Sequence, residues 1–182
     1  MPKISTGLDS LQKALKLCIL TLVLTAFASG CFLTMNRPFL KERDLEKGVI
    51  PKLSGRWKDE EGATLTIKDT KFTNSFTAVS TDKNAVLKIS MERLDDRHFI
   101  IQFQPEGEKG VFLTVGEVTD KRISLYTFPD NLPELTKKAL ANGVTINQIG
   151  LITKYTQAQG IIKFFHEMAA TPGHVDFILT KY

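Results

Sequence analysis

Cysteine is nearly missing from this chain. Of 182 residues only Cys18 and Cys31 are cysteines, and none follows position 31. Behind that point no disulfide can form, and there is neither a cysteine nucleophile nor a cysteine-based zinc site. Histidine is almost as scarce, with His98, His166 and His174 the full set. His166-Glu167 lacks a second histidine four positions on, so metalloprotease spacing is absent, and His174 lies past the Pro172-Gly173 stop on another element. None of Ser54, Ser75, Ser80, Ser90 and Ser124 stands in a Gly-x-Ser-x-Gly context, and no glycine loop suited to phosphate occurs. "DEEG" lacks the EF-hand spacing needed for Ca²⁺. Glu60-Glu61 and Asp95-Asp96 fall in predicted turns, where sequence neighbours point into solvent rather than across a cleft at one another. No catalytic residue, metal site or cofactor is therefore predicted, and the expectation is a protein that is not an enzyme.

Charge of one sign is lacking too. The net +4 is partly set by Lys3, Lys13 and Lys16 near the start; past residue 30 the chain carries 21 basic and 19 acidic residues. No Lys/Arg cluster sits beside stacking aromatics, so nucleic acid is not an expected partner. A long hydrophobic run is likewise missing. The longest, "LCILTLVLTAFA" (Leu17–Ala28), has twelve residues, against the roughly 20 that a membrane-crossing helix needs.

What is present at the N-terminus has a different use. Lysines, then an apolar stretch of that length, then small residues are the three regions of a secretory signal peptide. The stretch ends in "ASGC" (Ala28 to Cys31), which resembles the lipobox of bacterial lipoproteins. Ser29, Gly30 and Cys31 match it, and Ala28 stands where leucine is commonest. The resemblance implies cleavage between Gly30 and Cys31 by the lipoprotein signal peptidase, with a diacylglycerol thioether on Cys31. Each buried CH₂ of such chains contributes about 0.8 kcal/mol, so two or three chains anchor without a span. Phe32 rather than aspartate follows the cysteine, which implies the outer membrane, facing the periplasm.

Residues 31–52 have mixed charge, two prolines and no clean period, and read as the lipidated cysteine and a tether, with a short helix over "RPFLKERDLEKG" as an option. A flexible segment of about 21 residues would have an r.m.s. span of roughly 25 Å. From Leu53 onward one domain is expected, reaching residue 182. Leu65 and Ile67; Ala85, Leu87, Ile89 and Met91; Phe99, Ile101 and Phe103; and Val111, Leu113 and Val115 each fall on one side of an alternating run. Ile123 with Leu125, and Val175, Phe177 and Leu179, continue the pattern. "LDDR", "PEGEKG" and "TDKR" are short polar connections suited to hairpins. The expected fold is mainly β, or α+β: an antiparallel meander sheet or partial barrel with two helices near the C-terminus.

The first helix is predicted from an Asn131 cap, with Pro133 and Glu134 in its first turn, to Gly143. The second runs from Thr156, with Ile161, Ile162, Phe165, Met168 and Ala169 as its apolar stripe, and Phe164 placed beside Lys163 at the exposed margin. Thr145–Tyr155 is predicted as a single strand between them. Finally, Gly55-Arg56-Trp57 resembles the Gly-x-Trp at the first strand of lipocalins, where the Trp plugs one end of an eight-stranded calyx. The second helix before the last strand departs from that family. The leading expectation is an envelope lipoprotein acting as a non-catalytic binding or scaffolding module, with a protein partner. The alternative implied by the lipocalin resemblance is a carrier of a small apolar ligand, and an envelope enzyme is the third reading.

Overall fold

The structure, a computed structural model, describes residues 33–40, 51–71, 74–80, 85–126, 128, 132–147, 150–170 and 175–182. Gly30 and Cys31, with the leader before them, lie outside the described residues, as do Asn131, Pro172, Gly173 and His174. The wall of the fold is built from β2 (Gly55–Lys58), β3 (Thr64–Asp69), β4 (Ser75–Ser80), β5 (Val86–Arg93), β6 (His98–Pro105), β7 (Val111–Val118) and β8 (Arg122–Tyr126), closed by β11 (Val175–Lys181). Neighbours pair antiparallel in the order β7-β6-β5-β4-β3-β2-β11-β8, and β8 returns to β7. The meander expected from the alternation is therefore a ring of eight strands. One of them, β4, carries the run "SFTAVS", which the alternation did not single out.

Alternation sorts each strand into an inner and an outer face. Trp57, Ile67, Phe76, Ile89, Met91, Phe99, Ile101, Ile123, Leu125 and Leu179 point inward and form one core. Trp57 is 0% exposed. Its indole N–H donates to the Leu53 carbonyl at 2.7 Å, so the segment before β2 crosses the end of the ring as a plug. Lys181 Nζ donates to the Lys52 carbonyl at 2.9 Å and stands 5.6 Å from the centre of the Trp57 ring. The Lys52 amide donates to Asp120 in the β7–β8 turn at 2.7 Å. This end of the barrel is closed.

A second core lies outside the wall. Helices α1 (Leu132–Ala141) and α2 (Ala158–Ala170), with the hairpin β9 (Val144–Ile146) and β10 (Ile152–Tyr155), cover the outer face of β6 and β7. Ile161, Phe165 and Met168 of α2 are buried as their helical spacing requires. Phe164 is fully buried as well, which corrects its expected place at the margin. It meets Phe165 edge-on at 5.3 Å, and Phe165 meets Phe128 at 6.0 Å. Burying each such side chain is worth about 1.5–3 kcal/mol. Strands β6 and β7 are thus buried on both faces, with Phe99 and Ile101 inside and Ile100, Leu113 and Val115 outside.

Two further expectations are corrected. Thr145–Tyr155 is not one strand, because Asn147 accepts the Leu151 amide at 2.9 Å through its side chain and Gly150 takes φ +73°. A turn results, and the halves fold back as a hairpin. The tether is also revised. Leu33–Met35 forms β1, an antiparallel strand on β7 with Leu33 opposite Leu113 and Met35 opposite Val111. One edge of β7 is shared: its first half takes β1, and its second half takes β8 from Gly116 onward. A Cβ on Gly116 would stand 2.7 Å from the Ser124 carbonyl oxygen, so only glycine allows β8 this close.

The chain after β1 is held by a buried amide. Gln102, on the outer face of β6, accepts the Phe39 and Leu40 amides through Oε1 at 2.8 and 2.9 Å, and donates Nε2 to the Leu40 carbonyl at 3.0 Å. Leu33, Met35 and Leu40 are buried in the second core. Residues 33–40 belong to the domain. Gln102→Leu strips partners from two amides and a carbonyl, at about 1–3 kcal/mol for each buried group left unpaired. Urea unfolding should show a loss of about 3 kcal/mol, while Gln104→Leu, whose bond to Glu108 is exposed, should change little.

Candidate functional site

The ring is asymmetric from end to end. Inward residues near the closed end are buried, whereas Leu65, Leu87, Phe103 and Phe177 are only partly so. Register sets three of them toward the turns after β2 and β6: Leu65 lies one residue into β3, Leu87 one residue into β5, and Leu87 pairs with Pro105 at the end of β6, two residues after Phe103. Phe112 shares their inner face by pairing with Phe103. The open end of the barrel is therefore lined by leucine and phenylalanine. The turns around it are acidic, with Asp59, Glu60 and Glu61 after β2 and Glu106 and Glu108 after β6, against Lys109. Asp59 closes its own turn by accepting the Ala63 amide at 2.7 Å. The alternation singled out Leu65, Leu87, Phe103 and Phe177, whereas in β7 it singled out Val111, Leu113 and Val115 rather than Phe112. Which of them stand at an end became visible only once the register was known.

A second constellation is polar. Asp95 accepts the amides of Arg97 and His98, both at 2.8 Å, and its Oδ2 lies 2.8 Å from His98 Nδ1. The His98 ring lies 5.9 Å from that of Tyr126, whose hydroxyl donates to Glu117 at 3.4 Å. Burial pulls the Asp95 carboxyl up, but the amides of Arg97 and His98 and then the His98 imidazole outweigh it and hold the group at about 2. Burial, followed by the neighbouring Glu117 carboxylate, raises the Tyr126 phenol. Asp95 thus serves its own hairpin turn. Its sequence neighbour Asp96 is exposed.

His98 stands at the start of β6 and His166 on the exposed side of α2. Among the described residues no three His, Cys, Asp or Glu side chains converge as metal ligands. An open groove of about 320 Å³ between the end of α1 and the start of α2 is lined by Asn142, Gly143, Thr156, Gln157 and Lys163. It holds one charged group and no acid–base pair. No helix among the described residues is long and apolar enough to cross a membrane. No protein-family model, curated protein or solved structure matches the chain.

The Asp95 cluster makes a pH prediction. The folded carboxyl titrates at about 2 against 3.8 for the free group, so its contribution is complete above the higher value and fades as pH falls through the lower one. Stability of the wild type relative to Asp95→Asn, measured by urea unfolding, should be constant near neutral pH and shrink progressively as the pH drops from 3.8 toward 2.

Proposed function

We propose that this protein is a lipid-anchored, non-catalytic binding protein of a bacterial envelope, which takes an apolar ligand at the open end of its barrel. The observation that carries the ligand reading is the inner face itself. It is fully buried toward the Leu53 plug and half-buried, yet still leucine and phenylalanine, toward the turns after β2 and β6. Partly exposed apolar side chains on a concave face are costly to leave wet, and filling them with an apolar group recovers about 25 cal/mol per Å². The lipocalin-like Gly55-Arg56-Trp57 agrees with this reading in standing on the first strand of the ring, with Trp57 buried in its core. The acidic turns around the opening favour a neutral or cationic head over an anionic one.

The address rests on sequence. Cys31 and Gly30 supply the lipidation and cleavage positions, and the chain behind them offers no competing thiol. A protein partner on the outer wall is the second reading. It would leave the inner face unoccupied.

Two experiments separate these points. A radiolabelled fatty acid should enter the wild type and not Cys31→Ser, and globomycin should accumulate the uncleaved precursor; equal labelling of both proteins would sink the anchor. For the ligand, the neutral dye N-phenyl-1-naphthylamine should bind saturably and more tightly than the anionic anilinonaphthalene sulfonate. Phe103→Ser should weaken that binding by about tenfold or more, the loss of about 1.4 kcal/mol or greater expected from one buried aromatic contact. Lys68→Ser on the outer wall should leave it unchanged. Absence of saturable dye binding to folded wild type would exclude the apolar site.

A further inference from the structure

We propose that the flank carrying β1 and β10 is a membrane-contact surface, seated on the headgroup layer of the bilayer that holds the Cys31 lipid. This rests on the lipid-anchor reading and adds a fixed orientation to it. Leu33 is buried and hydrogen-bonded in register with Leu113. Only Phe32 lies between it and Cys31, and a fully extended chain covers at most about 7 Å over those two steps. An anchor at Cys31 therefore cannot swing on a long tether. It brings the β1 flank to the bilayer and keeps it there.

The exposed chemistry of the flank suits that layer. β1 borders residues 150–151, with the Thr34 amide donating to the Gly150 carbonyl at 3.1 Å. Beyond that contact Arg37 and Lys154 are exposed. Tyr155 is 40% exposed and meets the half-buried Phe39 edge-on at 6.1 Å. Amphipathic rings sit well at the headgroup level, and cations gain about 1 kcal/mol each near an anionic surface.

Charge alone would choose another wall. The outer faces of β2, β3 and β5 carry Arg56, Lys58, Lys68 and Lys88, and Glu92 is the one carboxylate on the outer face from β2 through β5. That wall, however, centres on β3, four strands from β7 in the ring. With strands about 4.8 Å apart, β3 lies on the far side of the barrel. It faces away from a bilayer held next to Leu33. The geometric constraint and the electrostatic one give opposite orientations, and this makes the proposal decidable.

The test uses the lack of thiols. In the mature lipoprotein Cys31 is blocked as a thioether, so a cysteine introduced by Asn36→Cys or Thr66→Cys is the single site for a bimane label. Both positions lie on accessible surface, Asn36 beside β1 and Thr66 on the basic wall. The lipidated proteins are reconstituted in phosphatidylethanolamine–phosphatidylglycerol vesicles carrying a spin-label quencher at headgroup depth. Bimane at Asn36→Cys should be quenched several-fold more than at Thr66→Cys. Inserting a Gly/Ser linker of about ten residues between Phe32 and Leu33, with an r.m.s. reach of roughly 17 Å, should abolish the difference while both proteins still pellet with the vesicles. Equal quenching at the two positions, or stronger quenching at Thr66→Cys, would overturn the orientation with the anchor intact. Protein that stays in the supernatant, unlabelled by fatty acid, would overturn the anchor itself.

Discussion

Strand β7 is the constraint on which the rest of the structure depends. Its one edge pairs with β6 along most of its length; its other edge is divided between β1 and β8. Its inner face closes the barrel and its outer face carries the helices. A strand used in this way cannot present a polar side, which is why Val111, Leu113, Thr114, Val115, Gly116 and Val118 are all buried. Gly116 is required because β8 leaves no room for a Cβ. Removing β1 would leave half of one edge of β7 without a hydrogen-bonding partner and take Leu33 and Met35 out of the second core. The N-terminal segment is therefore an integral part of the fold.

That integration changes what an anchor at Cys31 would do. A long tether decouples a domain from its membrane and lets it search. A strand begun two residues after the anchor instead transmits the position of the bilayer to the barrel wall, through the β1 ladder and the three hydrogen bonds of Gln102. The open end of the barrel then stands at a fixed angle to the surface. For a binding protein, such an arrangement presents the ligand site in one direction. The closed end is held by different means, with Leu53 as plug, Trp57 bonded to it, and Lys181 fastening the segment from the last strand.

Much of the fold was legible in the sequence. Period-two runs such as Leu87-Ile89-Met91 marked strands, and Ile161-Phe165-Met168 marked a helix, because burial on one face imposes those periods. What escaped notice has physical reasons. "LTM" at Leu33–Met35 is too short for any period to show, and the long-range pairing that makes it a strand leaves no local trace. Gln102 reads as an ordinary solvent-side residue of its strand until β1 and Leu40 are seen against it. Phe164 sits at the margin of the helical stripe, and the second core buries it all the same. Asn147 and Gly150 did carry a turn signal inside "TINQIGLITKY", and the flanking apolar residues masked it. The open end of the barrel was not legible at all, since alternation separates inside from outside but says nothing of top or bottom.

The claim at the centre of this account is that residues 33–40 are part of the barrel rather than a leash. Amide hydrogen exchange of the protein tests this most directly. The amides of Thr34, Phe39 and Leu40 each have a defined acceptor, in Gly150 or Gln102. They should exchange slowly, in step with those of β7. Exchange at the rate of an unstructured chain, with β7 still protected, would contradict the account and restore the tether.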